Sequence, residues 1–170
     1  NNTYLLYKLG WSGLNIDLNR ISIDLFNIMR PRDINICAAI SNKKENLQYF
    51  IPNNNPISPE ITISKSFSKK ISKRHGSSYK SFKTKSITWK DIEKKYRSKI
   101  SNVDILKIDV EGMDLKILKS INLKKVNPNL IMVEAPHFEK SETKKITNYL
   151  KKKNFKVIYN NTLNIIYKKL

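Results

Sequence analysis

The chain has 170 residues, of which 39% are hydrophobic and 9% aromatic, which suffices for one domain with a hydrophobic core and argues against a disordered chain. Lysine and arginine outnumber the acids by 33 to 14, for a formal net charge of +19. No apolar run reaches the roughly 18 residues of a membrane-spanning helix. A single cysteine, Cys37, excludes an internal disulfide and a cysteine-ligated zinc site.

The positive charge has two explanations. It attracts nucleic acid, anionic lipid or acidic polysaccharide, or it follows from a composition rich in lysine, asparagine and isoleucine. The lysines are scattered and do not form one stripe, which favours the compositional explanation, so nucleic acid is not the favoured partner and no membrane is expected. Cys37 lies in the apolar run INICAAI, which predicts a buried thiol and fits a cytoplasmic location.

Short helices and strands alternate at the start of the chain. Apolar residues over 4–9 indicate the end of a helix closed by Gly10. Residues 14–18 predict a strand, 21–29 a helix, and 35–40 a second buried strand. This alternation is typical of an α/β sheet.

A basic segment, residues 52–86, is predicted to be a variable insertion. It follows a candidate edge strand at 47–51 and begins with a loop containing three prolines. Apolar residues four apart predict an amphipathic helix ending at Gly76: Ile63, Phe67 and Ile71. A lysine-rich strand over 82–86 is predicted to have one face in solvent.

The last half of the chain is more regular. Thr88 and Asp91 have the spacing of a capping box for a helix reaching residue 96. Strands are predicted at 103–110 and 130–135, the first followed by a helix, and another helix at 140–153. Two closing strands pair across Asn160-Asn161. We therefore predict a mostly parallel sheet with a C-terminal antiparallel hairpin, residues 1–170 forming a single, partial domain.

Acidic residues end two of the predicted strands, where ligands of open α/β sheets bind. Asp17 ends the strand LNID and could accept hydrogen bonds from a ribose diol. The alternative is that it caps the helix over 21–29, a role that Asn19 could fill instead.

The second acidic strand end is the sequence LKIDVEGMD. Asp109 and Glu111 lie two residues apart, on one side of an extended strand, and Gly112 allows a sharp turn. Such a pair could take a proton from a hydroxyl or hold a hard cation. The alternative is that Glu111 and Asp114 only favour the positive end of the next helix.

His137 is a further candidate base, because it follows the strand that ends at Glu134. A loop histidine of this kind is more often an ordinary surface residue. The chain lacks P-loop, GxSxG, HExxH and CxxC sequences, which removes several other enzyme classes. It also lacks a GxGxxG loop.

Four segments, in order and spacing, resemble the FkbM family of methyltransferases: GWSGLNIDLN, INICAAISN, VDILKIDVEGMDLKILKSI and LIMVEAP. The KIDVEG block is the most specific of them, and the likeness runs over residues 5–135. It implies a Rossmann-like class I fold, S-adenosylmethionine as cofactor, and methyl transfer to a hydroxyl of a sugar or other small molecule.

The resemblance also implies site residues. Asp17, with Asn19 beside it, would hold the cofactor ribose, and Ala38 and Ala39 would lie near the adenine. Asp109 would face the transferred methyl group and the acceptor.

Glu111 would share that catalytic position, with His137 in reserve as a base. Whether a divalent metal takes part is left open, as is the identity of the small-molecule or glycan acceptor.

The first strand and glycine-rich loop of such folds have no counterpart in this sequence. We expect residues 1–9 to be the tail of the helix that follows that loop, and the polypeptide alone to bind cofactor poorly. The rival hypothesis is a non-catalytic basic module for nucleic acid or anionic glycan. Its support is the run of lysines from 65 to 85, with three aromatic residues interleaved: Phe67, Tyr79 and Phe82.

Overall fold

The computed structural model describes residues 3–53, 61–76, 78–100, 102–110, 112–134, 140–161 and 163–170. The helices are α1 (Tyr4–Lys8), α2 (Arg20–Met29), α3 (Lys65–His75), α4 (Trp89–Tyr96), α5 (Asp114–Ser120), α6 (Leu123–Val126) and α7 (Lys140–Lys151). The strands are β1 (Leu14–Asp17), β2 (Ile34–Cys37), β3 (Ala39–Ile40), β4 (Asn46–Pro52), β5 (Tyr79–Ile87), β6 (Ile105–Ile108), β7 (Leu130–Glu134), β8 (Phe155–Asn160) and β9 (Asn164–Lys169).

The chain divides into two compact units. The first contains Asn1–Ile40 and Lys44–Ile87, and the second contains Ser41–Lys43 and Thr88–Leu170. Each unit has its own hydrogen-bonded strands and its own buried side chains.

In the first unit, β1 and β2 form a parallel pair in which Asp17 lies beside Cys37. The backbone N–H of Ala38 donates to the Asp17 carbonyl at 2.9 Å, one residue beyond β2. The predicted strand over 35–40 is therefore interrupted at Ala38, and β3 leaves to pair with β5. Cys37 is exposed, so the predicted burial of its thiol is wrong: it stands at the open end of β2.

An antiparallel ribbon of β4 and β5 completes the first unit, in the order β3-β5-β4. The helix α3 begins at the Ser64 cap, whose side chain accepts from the Phe67 N–H, and ends at Gly76, at φ +64°. Phe67 and Ile71 are buried. The predicted amphipathic helix and its end at Gly76 are thus confirmed.

A buried ion pair joins the elements of the first unit at the start of β1 and β2. The Arg30 guanidinium lies 2.6 Å from the Asp33 carboxylate, and these side chains are 5% and 0% exposed. The same carboxylate accepts hydrogen bonds from the Gly13 backbone N–H and the Asn15 amide. Arg30 also donates to the Thr3 hydroxyl at 2.8 Å.

The second unit contains a mixed sheet in the order β6-β7-β9-β8. β6 and β7 are parallel, whereas β9 is antiparallel to both of its neighbours. The fully buried side chains of this unit include Leu118, Ile131, Ile146, Leu150 and Tyr167. The Tyr167 hydroxyl is itself satisfied by Thr147, at 2.8 Å.

The α/β class, the closing hairpin and the capping box of α4 are confirmed: Thr88 and Asp91 bind each other's backbone N–H groups. The predicted excess of parallel pairing is not found among the described strands. Parallel and antiparallel pairings are equally frequent there, because β4 pairs with β5 in the antiparallel sense.

None of the described helices is long and apolar enough to cross a membrane.

Candidate functional site

The C-terminal end of β1 brings together three of the predicted cofactor residues. The Asp17 carboxylate accepts a hydrogen bond from the Asn19 backbone N–H at 2.7 Å, and the Asp17 carbonyl binds the N–H of Ala38. Ala38 is half-buried, while Ala39 is buried. The parallel register of β1 and β2 thus places Asp17 and Ala38 at one edge.

Asn19, and not Asp17, caps the helix α2. Its side-chain oxygen accepts from the Ile21 backbone N–H at 2.9 Å. The sequence allowed either Asp17 or Asn19 to cap this helix, and the structure assigns the cap to Asn19. The Asp17 carboxylate instead binds a backbone N–H in the turn that leads into the helix.

The Asn19 side chain carries an unsatisfied donor. The residue is 6% exposed, and its amide nitrogen, Nδ2, has no hydrogen-bond partner in the described part of the chain. A buried amide donor without an acceptor destabilises the fold by about 1–3 kcal/mol. Such a group in a native protein calls for an explanation, and a bound polar ligand is one.

The end of β6 carries the predicted catalytic residue Asp109. It is exposed and forms an ion pair with Lys107, whose ammonium lies 2.6 Å from its carboxylate. The two side chains share one side of the extended chain, since they are two residues apart. Lys107 was missed in the sequence analysis, although this spacing was the available signal.

Asp114 is the first residue of α5. The sequence suggested only that it interacts favourably with the positive end of this helix, whereas the structure shows a buried carboxylate that binds the preceding turn. Asp114 is 6% exposed, and its carboxylate accepts hydrogen bonds from the backbone N–H groups of Val110 and Gly112, each at 3.3 Å. Burial raises the pKa of this carboxyl from 3.8 to about 6, while the two N–H groups act in the opposite direction and the charge on Asp109 adds to the increase.

Glu111 and His137 lie outside the described residues, so the geometry of the predicted Asp109–Glu111 pair is not defined. Across the ranges that the structure describes, no group of three or more histidine, cysteine, aspartate or glutamate side chains could hold a metal ion. Among the described residues, the end of β6 offers an exposed carboxylate paired with a lysine, beside a turn that the buried Asp114 carboxylate holds.

Comparison with known proteins points to one family. The family model described as the methyltransferase FkbM domain matches residues 1–157. No curated protein and no solved structure matches the chain.

Proposed function

The chain belongs to the FkbM methyltransferase family, and from this premise we propose that it is an S-adenosylmethionine-dependent methyltransferase that methylates a hydroxyl of a sugar or other small molecule. Methyltransferase membership follows from the family match over most of the chain. The cofactor, the oxygen acceptor and the residue roles are our proposal.

The unsatisfied amide nitrogen of Asn19 is the observation that carries the cofactor assignment. A ribose hydroxyl can accept from Nδ2 while a second hydroxyl donates to the Asp17 carboxylate, as a ribose hydroxyl does to the acid of dinucleotide-binding folds. The half-buried Ala38 presents a small apolar surface at the same strand edge, suited to an adenine ring. The residues present therefore fit an adenosyl group.

S-adenosylmethionine, when bound, supplies an electrophilic methyl group on a sulfonium. The acceptor hydroxyl must lose its proton as the oxygen–carbon bond forms, so a base has to stand near that oxygen. We assign this role to Asp109 and Glu111, with His137 as a further candidate. Lys107 keeps the Asp109 carboxylate in place through the ion pair at 2.6 Å.

The strand arrangement supports the proposed class I fold. The usual strand order of a class I methyltransferase sheet is 3-2-1-4-5-7-6, with strand 7 antiparallel. In the second unit, β6, β7, β8 and β9 have the order β6-β7-β9-β8 with β9 antiparallel, as strands 4 to 7 do in that fold. In the first unit, the parallel pair β1-β2 corresponds to strands 2 and 3 of that order.

Calorimetric titration of the full-length protein with S-adenosylhomocysteine tests the cofactor, and transfer of labelled methyl groups to sugar acceptors tests the reaction. Asp109→Asn is expected to bind S-adenosylhomocysteine like the wild type but to lose turnover by about a hundredfold or more. Asp104→Asn, an exposed acid before the other end of β6, is the matched control and should keep turnover. Unchanged turnover in Asp109→Asn would eliminate that residue, and absence of calorimetric binding would eliminate the cofactor.

A further inference from the structure

Three polar side chains lie side by side at the C-terminal ends of β6 and β7, where the sheet of the second unit carries Asp109. Ile108 of β6 pairs with Val133 of β7 in parallel register. The residues that follow this pair, Asp109 and Glu134, are therefore neighbours across the two strands. Glu134 in turn pairs with Asn164, the first residue of the antiparallel strand β9. Adjacent strands lie about 4.7–4.9 Å apart, so Asp109, Glu134 and Asn164 form a continuous line, which we call the polar row.

The polar row faces away from the buried side of the sheet. The neighbouring row of paired side chains, one position further into the three strands, is 4%, 1% and 3% exposed: Ile108, Val133 and Ile165. Because successive side chains of a strand point to opposite faces, the polar row lies on the other, more open face. Asp109 is exposed there, and Glu134 and Asn164 are half-buried. One ligand at this end of the sheet can therefore reach all three side chains.

The next row on the same open face is mostly apolar. Lys107 pairs with Met132, and Met132 pairs with Ile166. Each of these residues is two positions from a member of the polar row and so shares its face. Met132 and Ile166 are half-buried, and the Lys107 ammonium is the group that lies 2.6 Å from the Asp109 carboxylate. The open face thus presents hydrogen-bonding groups beside an apolar surface.

The chemistry of the polar row suits a ligand with several hydroxyls. Ionised carboxylates only accept hydrogen bonds, whereas the amide of asparagine both donates and accepts them. A hydroxyl can donate to each carboxylate and can either donate to or accept from the amide. An alcohol with a single hydroxyl would engage only one position of the polar row. A sugar ring carries several hydroxyls on neighbouring carbons and has an apolar side for Met132 and Ile166.

We propose that Glu134 and Asn164 bind the methyl acceptor, and that this acceptor is a sugar ring whose neighbouring hydroxyls contact the polar row. As the oxygen–methyl bond forms and the sulfur–methyl bond breaks, the proton of the reacting hydroxyl passes to the Asp109 carboxylate. Glu134 and Asn164 hold the adjacent hydroxyls and so determine which oxygen is presented for methylation. This inference rests on the proposed function, because it takes Asp109 as a base, and it narrows the acceptor to molecules with more than one hydroxyl.

The first test compares acceptors on the full-length protein. Transfer of labelled methyl groups from S-adenosylmethionine is measured for a panel of methyl hexopyranosides and for cyclohexanol, a six-membered ring with one hydroxyl. The best sugar is expected to exceed cyclohexanol in kcat/KM by about a hundredfold or more, because a site that hydrogen-bonds hydroxyls discriminates strongly against an analogue without them. Equal values of kcat/KM would overturn the inference, since neighbouring hydroxyls would then contribute nothing.

Variants of Glu134 and Asn164 separate acceptor binding from catalysis. Glu134→Gln preserves the size of the side chain but removes its charge, and should raise KM for the best sugar about tenfold with kcat changed by less than about threefold. Asn164→Ala should raise KM in the same way, while neither variant should change KM for cyclohexanol. Asp104→Asn, an exposed acid before the other end of β6, is the matched control and should keep the wild-type KM. Unchanged KM for the best sugar in both variants would overturn the inference.

Two measurements without turnover distinguish this inference from the proposed function. Calorimetry with S-adenosylhomocysteine tests the cofactor, and saturation-transfer NMR with the same panel of sugars tests acceptor binding to the protein loaded with S-adenosylhomocysteine. If S-adenosylhomocysteine does not bind, the proposed function fails and the inference fails with it. If S-adenosylhomocysteine binds and single-hydroxyl acceptors are methylated while no sugar of the panel binds, the proposed methyltransferase activity stands and only the inference is overturned.

Discussion

The Asp114 carboxylate accepts a hydrogen bond from the backbone N–H of Val110, four residues earlier, at 3.3 Å. The other carboxylate oxygen binds the N–H of Gly112 at the same distance. A buried acid thus closes the turn between β6 and α5 from inside. Because Asp109 immediately precedes this turn, its position relative to any acceptor depends on a side chain that no acceptor needs to touch.

Gly112 adopts φ +91° in that turn, a backbone conformation that side chains with a Cβ disfavour. We expect Gly112→Ala to lower the free energy of unfolding by about 1–3 kcal/mol, measured by urea denaturation. Gly13→Ala is the control, because Gly13 is not among the positive-φ glycines and an added Cβ there would meet atoms only at 3.8 Å and beyond. Equal stability of both variants would contradict the strained turn.

The raised pKa of Asp114 makes stability depend on pH. In the unfolded chain this carboxyl titrates near 3.8, and in the folded protein near 6, so the folded state binds more protons between these values. The contribution of Asp114 to stability is therefore fully present below pH 3.8 and is lost as pH rises through 6, by at most about 3 kcal/mol.

This effect can be isolated by subtraction, because Asp114→Asn removes the titrating group and leaves the other acids. The difference in free energy of unfolding between wild type and Asp114→Asn should change with pH between about 4 and 6, in the sense that the wild type loses stability relative to the variant. A difference that is constant over that range would show that Asp114 titrates normally.

Local signals predicted some of these features and long-range contacts decided the others. The capping box of Thr88 and Asp91 and the end of α3 at Gly76 depend on a few adjacent residues, so spacing alone predicted them. The burial of Asp114 depends on how the turn folds back on α5, which spacing does not encode. From the position of Asp114 near the start of the helix, the sequence predicted only a favourable interaction with the positive end of the helix dipole.

The pairing of strands was harder to predict from the sequence than the ends of the helices. The lysines of β5 indicated a strand with a solvent-exposed face, but nothing local specified that Phe82 would pair with Tyr49, because register in such a ribbon depends on cross-strand contacts. The Arg30–Asp33 pair was missed for a similar reason: the sequence RPRD is typical of an exposed turn. Only the folded unit places this pair beneath Thr3 and Gly13.

The capping box predicts a small, local change in stability. Thr88→Ala removes the acceptor for the Asp91 N–H, at 3.3 Å, and should lower the free energy of unfolding by about 1 kcal/mol. Thr88→Ser retains a hydroxyl and should stay within a few tenths of a kcal/mol of the wild type. Identical denaturation curves for the alanine and serine variants would argue against the cap.

The buried ion pair predicts a much larger change. Arg30→Met leaves the Asp33 carboxylate buried without its cation and should lower the free energy of unfolding by about 3–5 kcal/mol. The exposed pair Arg20–Asp24, at 3.0 Å with side chains 76% and 52% exposed, offers the matched control. Arg20→Met should change stability by about 0–1 kcal/mol. Similar losses in thermal melts of the two variants would contradict the burial of Asp33.

Asn19 allows the cap and the proposed ligand contact to be separated with one substitution. Asn19→Ser keeps a side-chain oxygen that caps α2 as well as asparagine does, but it removes the buried Nδ2 donor. Stability should therefore stay equal or rise slightly, because an unsatisfied donor is gone. Affinity for S-adenosylhomocysteine, measured by calorimetry on the full-length protein, should fall about tenfold, the equivalent of one hydrogen bond. If the affinity for S-adenosylhomocysteine is unchanged while the helix remains capped, the Asn19 amide does not bind the ribose. The unsatisfied Nδ2 donor near the end of β1 would then need an explanation other than a bound cofactor.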